Sequence, residues 1–343
     1  MTQRTRYFLI GSALVVVAGL CTGLVAYYNG GLLGRAADTS DFAYLASDST
    51  AVAYADVRAI MSSEFRQKLR QFLPTGDEKT RIQEETGVDI EHDIDTVLAG
   101  FSGNGVDNGG AFVVLRGRFD NGRIETTAVQ HGARVEQYQG KRLLVLSERR
   151  GHAMHSAPGA VEAGETTQGM ALAFLEPGCL AMGDLRSVRR ALDTNAAKSD
   201  ITKSADLMKL VNDVRSGANA WVVSRFDEIS KSEHVPDQVR QHLPAVQFLA
   251  VSAHVNGGLN GMLRAETRDA QSAQDLKAVV GGALAAGRLL AGEDKRASSV
   301  LNSLQVGGAD KTVTLAFTVP PDLLDVLNGV AAAKRLSEGG VRK

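Results

Sequence analysis

Arg70-Gln71-Phe72-Leu73-Pro74 returns as Arg240-Gln241-His242-Leu243-Pro244, so five residues are written almost twice in one chain. A repeat of this kind limits the fold to copies of one supersecondary unit. The surroundings repeat as well. Ala51, Ala53, Tyr54 and Arg58 precede the first pentapeptide, and Ala218, Ala220, Trp221 and Arg225 precede the second at the same internal spacing. Beyond them, Gly109-Gly110 with Leu115-Arg116 matches Gly257-Gly258 with Leu263-Arg264. Three landmarks in the same order predict two related α+β units.

Periodicity fills in each unit. An apolar strand is expected over Val52–Val57 and again over Ala220–Ser224. An amphipathic helix follows the first, with Asp56 as its N-cap and Val57, Ile60, Met61, Phe65, Leu69 and Phe72 on one stripe. Paired strands come next. In Ala111–Phe119, Val113, Leu115 and Phe119 share one face while Arg116 and Arg118 share the other. Over Leu259–Glu266, Leu259 and Leu263 oppose Asn260, Arg264 and Glu266. A second-copy helix is expected with Ser272 as cap and Leu276, Val279, Val280, Ala283 and Leu284 as its stripe. Each copy closes on a strand and a helix: Cys179–Met182 with Asp184–Leu192, then Thr312–Val319 with Pro321–Val330, where Pro321 suits a first helical turn. Short glycine-rich connections imply antiparallel pairing. The polar stretch Thr194–Lys203 marks the seam.

The phrase TGVDIEHDIDTVLAG, Thr86 to Gly100, carries a Gly-Val-Asp and Asp-Ile-Asp pattern at Gly87, Val88, Asp89, Asp93, Ile94 and Asp95. With the strand and helix before it, this resembles a bacterial family of N-terminally membrane-anchored proteins with a duplicated α+β unit. The resemblance implies an architecture and no chemistry.

The start of the chain sets its location. No charge occurs from Tyr7 to Tyr28. Such a run makes a helix of about 33 Å, enough for a hydrocarbon core of about 30 Å. Arg4 and Arg6 precede it and favour a cytoplasmic N-terminus, and Tyr7, Tyr27 and Tyr28 suit the membrane interface. The run is longer than a signal-peptide core, and no good small-x-small cleavage site follows. The expected organisation is a cytoplasmic stub (1–6), a transmembrane anchor (7–28), a tether (29–40), a first repeat (41–198), a second (199–333) and a charged tail (334–343). The fold class is α+β: a transmembrane helix, then two related units of mostly antiparallel sheet with packed helices. The main body is expected outside the cytoplasmic membrane, in the periplasm if the cell is Gram-negative.

Composition excludes some functions. Without Arg4 and Arg6 the remainder carries a net −3, which lacks the basic excess of a nucleic-acid binder. The two cysteines, Cys21 and Cys179, make no disulfide framework. Each catalytic signature fails on a specific residue. Asp89, Glu91, Asp93 and Asp95 alternate like calcium ligands, but Ile94 and Gly100 stand where that loop needs glycine and glutamate. His152 and His155 lie in a stretch of loop composition. GFSGNG, Gly100 to Gly105, has Asn104 where a nucleophile elbow needs glycine.

Arg116, Arg118 and Arg264 are left as a possible anion or partner surface on a sheet face. The expected function is a membrane-tethered, extracytoplasmic, non-enzymatic binding or scaffold domain of the cell envelope. No metal or cofactor is expected. The partners expected are the bilayer, through residues 7–28, and an unidentified envelope protein. The alternatives are a hydrolase with a dispersed active site, or a binder of lipid or another apolar ligand between the repeats.

Overall fold

The computed structural model describes residues 40–64, 66, 84, 88–89, 92–102, 110–147, 169–226, 246–291 and 301–319. The apolar run 7–28, both pentapeptides, His152, His155, the last expected helix and the tail lie outside the described residues. No helix among the described residues is long and apolar enough to cross a membrane.

The fold is α+β, and the described residues build one antiparallel sheet of twelve strands. These are β1 (Ala51–Asp56), β2 (Ile94–Ser102), β3 (Gly110–Gly117), β4 (Arg134–Tyr138), β5 (Lys141–Ser147), β6 (Gly169–Glu176), β7 (Cys179–Asp184), β8 (Ala220–Arg225), β9 (Val246–Val255), β10 (Leu259–Thr267), β11 (Gln305–Gly307) and β12 (Thr312–Val319). The named helices are α1 (Val57–Met61), α2 (Asn121–Gln130), α3 (Leu185–Ala197), α4 (Ala205–Val214) and α5 (Ala270–Ala291). The strand order is β11-β12-β10-β9-β8-β1-β2-β3-β7-β6-β5-β4. At about 4.8 Å per strand the sheet spans about 53 Å.

Read outward from the central β1/β8 pair, both directions give the same pattern. A first strand pairs a second, the second pairs a third, and a later strand returns to lie beside the third. The registers agree residue by residue. Tyr54 faces Trp221 across β1/β8. On one side the ladder then runs Tyr54, Leu98, Val114, Ala181. On the other it runs Trp221, Ser252, Met262, Ala316. Val114 and Met262 each precede the Leu-Arg pair that repeats in the sequence, Leu115-Arg116 and Leu263-Arg264. The Tyr54 and Trp221 rings stack with centroids 5.6 Å apart at 24°, and both side chains are buried. The β4 to β6 stretch is longer than its counterpart, which is the single short strand β11.

Local chemistry sets the ends of these elements. The β4–β5 hairpin turns through Gln139 and Gly140, both at positive φ (50° and 71°), the pairing that a two-residue turn matching the strand twist requires. Pro177 and Gly178 join β6 to β7. Gly178 stands at φ 72°, the left-handed site after a turn proline. Asp56 caps α1 by accepting from the Ala59 N–H at 2.8 Å. The cap of α5 is Asp269, which accepts from the Ser272 N–H at 2.8 Å, so Ser272 is not the cap. Of the expected stripe on that helix, Leu276 and Val280 join Ala273 against β10 and β12. Val279 is exposed. The covered positions advance by three and four from Ala273, and that phase turns Val279 outward.

Both sheet faces are covered. Helices α3 and α4 lie on one, over a core that includes Val52, Tyr54, Val114, Ala181, Trp221 and Val223. Helices α2 and α5 lie on the other, at opposite ends of the sheet. Ala53, Ala99 and Val222 form the centre of that second face. The stretch Thr194–Lys203 is part of this body. Its first residues finish α3, Lys198 takes the left-handed conformation at φ 52°, Ile201 is buried, and Asp200 bridges to Ala46.

Candidate partner surface and its ion pairs

Arg116 sits on the third strand of one half and Arg264 on the third strand of the other, both on the α3/α4 face. The parity is fixed by their neighbours: Arg116 follows Phe112 and Val114 along β3 in the α3/α4 core, and Arg264 is the register partner of Ala250 in the same core. Each reaches a carboxylate in the helical layer. Arg116 donates its Nε–H to both oxygens of Asp41 at 2.8 Å, and its Nη2 to Ser40 Oγ at 2.8 Å. Glu176 lies 2.8 Å from the same Nη2. The Asp41 side chain is 4% exposed. Its hydrogen bond to Arg116 holds that guanidinium above the usual arginine range. Arg264 donates to Asp213 of α4 at 2.8 Å.

Arg118 belongs to a different place. It donates to the carbonyl of His92 and lies 3.6 Å from Asp93, with its side chain 65% exposed. The structure therefore does not bring the three arginines into one patch. Two tie the sheet to the helical layer, and the third closes the segment before β2.

Three of the alternating acids, Asp89, Asp93 and Asp95, lie in that segment and the start of β2, and Glu91 lies outside the described residues. Asp93 accepts from the Asp89 N–H at 2.8 Å. Asp89 meets His92 Nδ1 at 2.8 Å. Asp95 pairs with Arg58 of α1. These carboxylates are turned onto their own backbone and onto arginines. Gly100 and Ser102 lie within β2, and Ser102 donates across the hairpin to the Gly110 carbonyl at 3.5 Å. His254 is exposed on β9, opposite Asn260.

Sequence reading missed a further cluster because its members are far apart in the chain. The Tyr138 hydroxyl donates to Asp193 of α3 at 2.9 Å, and Gln139 Nε2 donates to the same carboxylate at 2.8 Å. Arg189 lies 5.3 Å from the Tyr138 ring centroid and bonds Glu136 at 2.9 Å. The hydrogen bond to Asp193 raises the Tyr138 phenol above its ordinary value. Burial first, and then neighbouring charges, raise Tyr44 as well. This cluster clamps the edge strand β4 onto α3. Only the Tyr-Gln-Gly turn signals it in the sequence.

A crevice of about 10 Å³ lies among Tyr44, Ser49, Ser102, Phe112, Ser187 and Arg190. It has room for about one water molecule. Among the described residues no group of His, Cys, Asp and Glu is arranged to hold a metal ion. Cys179 is buried. No family model, curated protein or solved structure matches the chain.

Proposed function

We propose that this chain is a membrane-tethered scaffold or binding domain of the bacterial cell envelope, built from a duplicated α+β unit. The apolar run 7–28 anchors it with Arg4 and Arg6 inside, and the body stands outside the cytoplasmic membrane. The observation that carries the reading is the agreement of the two ladders. Tyr54–Leu98–Val114–Ala181 and Trp221–Ser252–Met262–Ala316 run outward from one pair, and they put the repeated Leu-Arg pairs at matching places. A duplicated gene explains both the sequence landmarks and this order.

The arrangement suits a passive role. Fused along β1/β8, the units make one broad platform whose ion pairs fix helices to sheet. Its outer strands, β4 and β11, offer edges to which a partner strand can add. The likeness of Thr86–Gly100 to anchored bacterial proteins points the same way.

The test is extraction of the tagged full-length chain in mild detergent, with mass spectrometry of what co-purifies. A protein companion in stoichiometric amount, recovered from the membrane fraction, is the expected result. A solitary protein, or one recovered from the soluble fraction, overturns the reading.

A further inference from the structure

Strand β4 ends the sheet, and its outer edge meets no strand among the described residues. Its residues, Arg134 to Tyr138, pair with β5. Tyr138 and Lys141 close the two-residue turn, so these two exchange main-chain hydrogen bonds, and alternate residues back along β4 do the same. Arg134, Glu136 and Tyr138 therefore direct their main-chain groups to β5. Val135 and Gln137 turn theirs outward.

The side chains divide by face. Arg134 and Glu136 oppose Val145 and Leu143 of the α3/α4 core, and Val135 opposes Leu144 on the α2 side. Val135 is 43% exposed. Arg134 is exposed, and its guanidinium has no partner among the described residues. Glu136 accepts from Arg189 through Oε2 at 2.9 Å, which leaves Oε1 available. Charges on an edge strand usually keep a second edge away. Here a positive and a negative charge stand on one face with one residue between them, and a two-fold rotation lays that pattern on its own complement.

We propose that β4 pairs antiparallel with β4 of a second copy of this chain, centred on Val135. Charge selects the register. Opposed residues must share a face, so the centre falls on a residue. Centres at Arg134 or Glu136 set like charges against each other. Centres at Gln137 or Tyr138 carry Arg134 past Glu136 of the second copy. The Val135 centre sets Arg134 opposite that Glu136, and symmetry repeats the pair. It also lets Val135 and its copy exchange both main-chain hydrogen bonds and bring their side chains together.

The two-fold axis stands normal to the sheet, so the α3/α4 faces of both copies look the same way. Asp41, which bonds Arg116 on that face, then lies on the same side in both, as two anchors in one bilayer require. A strand pair this short buries less than the roughly 1,000 Å² of a stable interface. Confinement to one membrane raises the effective concentration and offsets that shortfall. The pairing rests on the anchored scaffold reading for this confinement.

The experiment uses the concentrated full-length chain in mild detergent with Cys21→Ser, retaining buried Cys179. Val135→Cys is oxidised mildly and its products are sized on a non-reducing gel. The paired Cα atoms stand about 5.5 Å apart, inside the roughly 4.4–6.8 Å that a disulfide spans, so a covalent dimer is expected. Lys311→Cys, in the β11–β12 turn at the far end of the sheet, is the exposed control and is expected to stay monomeric. Adding Arg134→Glu to Val135→Cys sets like charges opposite each other at both symmetry-related places and is expected to lower the dimer yield about tenfold. Adding Arg134→Lys is expected to keep it. Trp221 fluorescence confirms that each variant is folded.

A dimer yield at 135 no higher than at 311, or one that Arg134→Glu leaves unmoved, overturns the pairing. A mixed disulfide from Val135→Cys to a co-purifying protein, in place of the dimer, assigns the edge to that protein and overturns it too. If the pairing fails and a companion still co-purifies, the scaffold reading stands alone. A dimer from a chain that brings no companion supports the pairing and overturns the scaffold.

Discussion

Replacing Arg116 by methionine tests whether this arginine holds the fold or faces a partner. Its guanidinium bonds a carboxylate that is 4% exposed, and its own side chain is 24% exposed. Removing one partner of a buried pair costs about 3–5 kcal/mol. The guanidinium is partly screened by solvent and Glu176 is half exposed, so the low end, about 3 kcal/mol, is the expected cost. Arg118→Met removes a guanidinium from a side chain that is 65% exposed, and less than about 1 kcal/mol is expected there. Adding Asp41→Asn to Arg116→Met removes the stranded charge and recovers about 1 kcal/mol or more. The assay is urea unfolding of the full-length chain in detergent. Its reporter is the fluorescence of Trp221, the chain's single tryptophan, buried at β1/β8. Equal midpoint shifts for Arg116→Met and Arg118→Met would refute the reasoning. So would a double variant less stable than Arg116→Met alone.

Trp221→Ala is expected to cost about 3–5 kcal/mol by circular dichroism melts, with about 0.5–1.5 kcal/mol of coupling to Tyr54 in a double-mutant cycle; additive effects would deny the stack an energetic role. Gly282 lies within α5 with nothing within 4 Å of the position a Cβ would take, so Gly282→Ala is expected to stabilise by about 0.5–1 kcal/mol, read as a raised Tm. Tyr44 and Tyr138 are expected to ionise above the ordinary value of 10.0 in an ultraviolet titration. Because their folded values are raised, the stability they contribute is intact below pH 10 and is lost as pH rises through those values. Tyr138→Phe removes part of that alkaline loss, and an unchanged profile would deny the Tyr138 part of it.

Much of this architecture was readable from local pattern. Alternation along Ala111–Phe119 and Leu259–Glu266 gives strands, and the structure places β3 and β10 there. Asp56 as a cap follows from its position before an apolar stripe, and its carboxylate accepts the Ala59 N–H. These features depend on residues within one or two turns of each other, and local sequence encodes them fully. Helix α4 was missed although Leu207, Leu210, Val211 and Val214 carry the period of a buried helix. That signal was present and unread. The polar stretch Thr194–Lys203 gave no sign that Ile201 lies in the core, because what buries it comes from Leu45 and its neighbours, far away in the chain.

By itself, then, the sequence determined six of these strands (β1, β3, β7, β8, β10 and β12), the antiparallel sense and the repetition of landmarks. Tertiary structure alone decided that twelve strands join in one sheet through β1 and β8, because a strand edge carries no mark of its partner until both edges meet in register. It also decided the fate of the arginines. A period of two tells which residues share a face and not which face a helix will cover. Arg116 and Arg264 were legible as face-mates opposite the apolar positions. Only the packing of α3, α4 and Asp41 gave that face its partners, a buried carboxylate at Asp41 for Arg116 and a partly exposed one at Asp213 for Arg264, where the alternation pointed to solvent.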